Sequence, residues 1–122
     1  MHEDTLAVEA IREGDTERYE ELVERYQRLV QGIAWSRIGD AGLCEEAVQE
    51  TFVQGFRFLS TLRRPERFGA WISRIARNVA VSLRRRRRRE LSRVERWHVE
   101  DALAAPGDAS DSGGDVPLTA ML

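Results

Sequence analysis

A chain of 122 residues is long enough for one compact domain with a tail and too short for two domains of ordinary size. Its 42% hydrophobic content suits a globular fold, no apolar run approaches the ~20 residues of a membrane span, and the acidic opening MHEDTLAVEAIREGD is unlike a secretory signal, which places the chain in the cytoplasm. The net charge of −2 hides any local excess, while one cysteine, Cys44, and two distant histidines, His2 and His98, leave no internal disulfide, metal site or cofactor site, so an enzyme is not expected.

The first expected element is a short helix carrying Leu6, Ala7, Ala10 and Ile11 and ended by Gly14, with Asp15 placed to cap the next helix. That second helix shows an apolar stripe at three- and four-residue steps: Tyr19, Leu22, Val23, Tyr26, Leu29, Val30 and Ile33. Gly39, Asp40 and Gly42 break it. A third helix follows from about Leu43 to Leu59, and the segment STLRRPER, residues 60–67, reads as a loop because Pro65 disfavours helix at the residue before it. The fourth helix begins near Phe68. Beyond Leu103 the stretch APGDASDSGGDVPLTAML is an acidic, Gly-, Pro- and Ser-rich linker or flexible tail, 104–122, following a domain of 1–103. The expected fold class is therefore all-α, a compact bundle of about four helices.

Charge is divided along this order. Residues 1–60 hold 13 acids and 6 arginines, residues 61–96 hold 3 acids and 13 arginines, and residues 97–122 hold 5 acids and no base. Six of those arginines are consecutive, Arg84 to Arg89. A dense guanidinium run neutralises phosphates and releases their counterions, although the same run also serves as a solvated face. An acidic end and a basic end suit two different partners.

Placed on a helical wheel, the third helix gathers Cys44, Val48, Phe52, Gly55 and Leu59 as a core seam, with Cys44 as a small buried hydrophobe. Glu46, Glu50, Val53 and Arg57 lie opposite, with Gln49 at the margin. A valine and an amide among carboxylates fit a docking surface as well as a solvated face. The fourth helix turns Phe68, Ile72, Ile75, Ala76, Val79 and Leu83 toward the core. Trp71, Arg74, Asn78, Ser82, Arg85 and Arg89 line its flank. An aromatic, an amide and several guanidiniums on one stripe are the groups needed to stack on an unpaired base, bond its edge and hold the backbone.

The strings EEAVQETFVQGFRFL and FGAWISRIARNVAVSLRRRRRR, with REGDTERYEELVERYQRLVQGIAWSRIGD before them, resemble the region 2 domain of the extracytoplasmic-function (ECF) group of sigma-70 family RNA polymerase sigma factors over about residues 5–97. The resemblance implies a helical domain that binds the beta-prime clamp coiled coil of core polymerase with one helix. With another it binds the non-template strand of the promoter minus-ten element. The VQETF segment then assigns Glu46, Gln49 and Glu50 to polymerase. The Leu62–Phe68 loop corresponds to a pocket for a flipped base, and the IARN motif makes Asn78 the first choice for base contact, with Trp71 supporting the loop. Arg63, Arg64, Arg74, Arg84, Arg85, Arg88 and Arg89 complete the implied DNA surface.

The loop GFRFLSTLRRPERFG is less polar than is often found in the family, and the region 4 helix-turn-helix that family members carry after such a linker is not expected within these 122 residues. An anti-sigma factor is admitted as a further partner, and no membrane insertion is expected. Two other readings fit the same residues: an arginine-rich helical nucleic-acid-binding protein, and a clamp-binding decoy without promoter-opening activity.

Overall fold

The structure is a computed structural model, and it describes the backbone of residues 3–100 and the side chains of residues 3–94. It contains four α-helices: α1 (Glu3–Arg12), α2 (Tyr19–Arg37), α3 (Ala41–Arg57) and α4 (Phe68–Glu100). Short 3-10 turns at Thr16–Arg18, Leu59–Thr61 and Pro65–Arg67 fill the connections, and no strand occurs among the described residues. The expected all-α bundle is therefore observed, while the tail assigned to 104–122 lies outside the described residues.

Amphipathic periodicity explains the architecture. Helices α2, α3 and α4 each carry one apolar stripe, and packing the three against one another buries Leu22, Val30 and Ala34 with Leu43, Cys44, Ala47 and Phe52 and with Phe68, Ile72, Ile75, Ala76, Val79, Ala80 and Leu83. Helix α1 lies against α2 and against the turn at Pro65–Arg67, burying Ala7, Val8 and Ile11. The close approach of α3 to α4 depends on Gly55: a Cβ there would stand 2.7 Å from Ile72 Cδ1 and 2.8 Å from the Tyr19 hydroxyl. Leu83 is the last buried residue of α4 among those whose side chains are described. The helix continues for 17 more residues, an overhang of about 25 Å, and the arginine run opens it.

Local chemistry departs from the sequence reading at three points. Gly14 does end the first helix, at φ +115°, but Asp15 caps nothing with its side chain; it precedes the 3-10 turn, where the Thr16 and Arg18 amides donate to the Gly14 and Asp15 carbonyls. The capping carboxylate is Asp40, expected only as a breaker. Its Oδ1 accepts from the Leu43 amide at 2.8 Å, so α3 starts at Ala41 and satisfies an otherwise unpaired terminal donor. The third correction is Leu29, which is 45% exposed because its position falls at the rim of the α2 stripe.

A polar cluster ties α1 to α2. Asp4 is buried, its Oδ1 accepts from Arg25 Nη1 at 2.5 Å, and its Oδ2 accepts from the Tyr26 hydroxyl. Desolvation and then the bond to Asp4 push the Tyr26 phenol up to about 12, and burial raises Tyr19, whose hydroxyl donates to the Phe52 carbonyl at 2.6 Å. A raised folded-state value means that the Tyr26 contribution is complete below pH 10, the ordinary phenol value, and is lost as the pH rises toward 12. Titration of phenolate absorbance alongside helicity is expected to show no Tyr26 ionisation before the bundle begins to loosen above pH 10. Ordinary ionisation of both tyrosines near pH 10, in an intact fold, contradicts this.

Candidate polymerase and nucleic-acid interfaces

The outer face of α3 places Glu46 and Gln49 in solvent and leaves Glu50 half-buried, its carboxylate accepting from Gln54 Nε2 at 2.7 Å one turn on. Val53 and Phe56 are also exposed on this helix, at 53% and 45%. Beside them a groove of about 390 Å³ runs between α2 and α3, lined by Gln27, Gln31, Trp35, Ala41, Cys44, Glu45, Val48 and Gln49. Val48, expected in the seam, is half-buried and forms part of the groove wall. Burial, and secondarily Asp40, raise the Cys44 thiol, which donates to the Ile38 carbonyl at 3.4 Å. It is held as a protonated packing group.

Sequence reasoning overlooked the α2 side of this groove. Trp35 is 54% exposed, and a wheel drawn for α2 would have isolated it, since it falls off the stripe formed by Leu22, Val30 and Ala34. An exposed tryptophan between amides is suited to an interface, because large aromatics concentrate at interface centres.

On α4 the flank expected to read a base is continuous in space. Trp71 is half-buried and stacks at a tilt on Phe68, with ring centroids 5.8 Å apart. Asn78 is half-buried two turns further along, and its amide has no hydrogen-bond partner among the described residues. Arg74 and Arg85 are exposed on the same side, and Arg89 is half-buried. The loop entering α4 keeps Leu59 and Leu62 inside, at 3% and 6% exposure, and turns Arg63, Arg64 and Arg67 into solvent.

The arginine run divides by helical register. Arg84 Nη1 donates to the Arg37 carbonyl at 3.1 Å, so this guanidinium satisfies the last turn of α2. Arg87 stands 3.7 Å from Asp40 Oδ2, the carboxylate that caps α3. Both arginines reach back over the α2–α3 corner. Arg85 and Arg88 are exposed and make no hydrogen bond or ion pair with the described residues. No group of residues able to hold a metal ion occurs among the described residues, and none of the described helices is long and apolar enough to cross a membrane.

Comparison with known proteins places this geometry in a family. The family model for Sigma-70 region 2 matches residues 22–90, which take in most of α2, all of α3 and α4 through the arginine run. The RNA polymerase sigma-H factor of Pseudomonas aeruginosa is 32% identical over 124 aligned residues, which cover 100% of this chain and 63% of the relative. The ECF RNA polymerase sigma-E factors of Salmonella typhimurium and Escherichia coli K12 are each 36% identical over 77 residues, covering 63% of this chain and 40% of those proteins. The chain thus spans between two-fifths and two-thirds of the curated relatives' length. The chain belongs to the sigma-70 family of sigma factors and carries a region 2 of the ECF type.

Proposed function

We propose that this chain acts in transcription initiation as the core-binding and minus-ten-binding part of an ECF sigma factor. The α2–α3 face docks on the clamp coiled coil of the beta-prime subunit through Gln49, Glu46 and Glu50, with Trp35 and the groove beside them. The Leu62–Phe68 loop and the α4 flank take up a base extruded from the non-template strand. Asn78 bonds its edge, Trp71 backs the pocket, and Arg63, Arg64, Arg74, Arg85, Arg88 and Arg89 hold phosphates. Arg84 and Arg87 contribute field rather than direct grip, because each is already engaged on the α2–α3 corner. The observation that carries this reading is that the unpaired amide of Asn78 lies between a stacked aromatic and exposed guanidiniums on one side of α4.

Base reading and phosphate holding separate experimentally, since phosphate contacts carry little sequence information. With the chain bound to core polymerase, Asn78→Ala is expected to cost about 1–3 kcal/mol of discrimination between matched and mismatched minus-ten strands while leaving the salt dependence unchanged. Arg85→Gln with Arg88→Gln is expected to weaken every strand alike and to reduce the log–log salt slope by about 0.7 per arginine. Titrations over a salt series measure both quantities. Equal losses on all strands for Asn78→Ala favour an arginine-rich binder without base reading, and core binding with no promoter opening favours a decoy.

A further inference from the structure

One contact links a helix outside the implied DNA surface to the loop inside it. Arg12, in the last turn of α1, sends Nη2 to the backbone carbonyls of Leu59, at 3.0 Å, and of Leu62. These carbonyls bracket the 3-10 turn Leu59–Thr61, and Leu62 is the residue from which the chain leaves the core in extended conformation toward Arg63 and Arg64. Both ends of the contact are set by burial. Ala7, Val8 and Ile11 fix α1, while Leu59 and Leu62 fix the backbone that presents the carbonyls.

We propose that Arg12 is a positioning residue for base recognition: by holding both carbonyls of the Leu59–Leu62 turn it sets the point and direction at which the base-pocket loop departs. The proposal rests on the base-reading role of that loop given above. A single guanidinium nitrogen carries two hydrogens and can serve two acceptors at once, which ties the start and the end of the turn to one rigid group. Arg12 is itself exposed, and the apolar side chains that fix α1 and the turn, Ala7, Val8, Ile11, Leu59 and Leu62, are buried without its guanidinium. The fold is therefore expected to survive its removal, with the placement of the loop lost. Within the turn, Thr61 Oγ1 donates to the Phe58 carbonyl and Leu62 N to the Leu59 carbonyl, so the turn stays closed without Arg12; what Arg12 adds is the tie from the turn, and from the Leu62 carbonyl above all, to α1.

The test uses the full chain assembled with core polymerase and 12-nucleotide single strands. The reference strand is the one that wild type recovers from a random pool, and each of its bases is replaced in turn. Binding is followed by fluorescence anisotropy for wild type, Arg12→Met and Arg12→Lys, with core-polymerase affinity and thermal melting measured in parallel. Arg12→Met keeps most of the apolar stem of the side chain and removes its donors. It is expected to lower base discrimination roughly tenfold at one or two adjacent positions while core affinity stays near wild type. Arg12→Lys, which retains donors, is expected to restore most of it. Wild-type discrimination in Arg12→Met overturns the proposal alone, as does a loss that runs in parallel with core affinity and melting. A wild-type chain that binds core but discriminates no base overturns the pocket reading as well. Should Arg12→Met fail to fold, Arg12→Gln, whose amide ends two atoms short of the terminal guanidinium nitrogens and so does not reach the two carbonyls, makes the same comparison, and full discrimination by it overturns the proposal.

Discussion

Phe68→Ala is expected to lower the free energy of unfolding by about 3–5 kcal/mol, a large share of the total for a domain of this size. Phe68 is fully buried at the first residue of α4, its ring 5.4 Å from Tyr26 of α2 and 5.8 Å from Trp71. Truncation opens a cavity where the loop, α2 and α4 meet, and neither neighbouring ring can fill it without leaving its own partner. Tyr26 is held by Asp4, and Trp71 belongs to the flank. Urea denaturation followed by helical circular dichroism measures the change. A loss below about 1 kcal/mol means that the site collapses around the smaller side chain, and Phe68 is then not the anchor of this corner.

The second large effect concerns binding with the fold left intact. Gln49→Ala combined with Glu50→Arg is expected to weaken association with core polymerase by at least ~30-fold, the equivalent of about 2 kcal/mol at an interface centre. Helicity and melting temperature should stay close to wild type, because surface substitutions usually remain within about 0.5 kcal/mol. Gln49 is exposed and Glu50 only half-buried, and the one bond lost is that from Gln54 Nε2. Gln54 Oε1 is buried without a hydrogen-bond partner, and an arginine at position 50 brings donors within its neighbourhood. Co-migration of the variant with core polymerase at wild-type affinity removes this face from the docking role. A parallel loss of helicity shows instead that Glu50 and Gln54 hold α3 itself.

The sequence by itself determined the number and order of the helices and most of the core. The stripe Phe68, Ile72, Ile75, Ala76, Val79 and Leu83 is buried throughout, because in a helix the spacing of apolar residues alone decides which share a face. The same local rule placed Cys44, Phe52 and Leu59 inside and left Glu46 and Gln49 outside. It also placed Trp71 and Asn78 on one flank of α4.

The tertiary structure decided what depends on how helices cross. Whether Asp15 or Asp40 becomes a cap turns on the path of the chain into the next helix, and the composition of the two turns is much the same. Arg84 and Arg85 are adjacent and chemically identical, yet the 100° between them sends one guanidinium to the Arg37 carbonyl and the other to solvent. That separation has meaning only once the end of α2 lies beside α4. The bond from Arg12 to carbonyls 47 and 50 residues away follows from α1 lying across the turns that lead into α4. No periodicity encodes such a contact, because it requires several elements to be placed by close packing before a single side chain can span them.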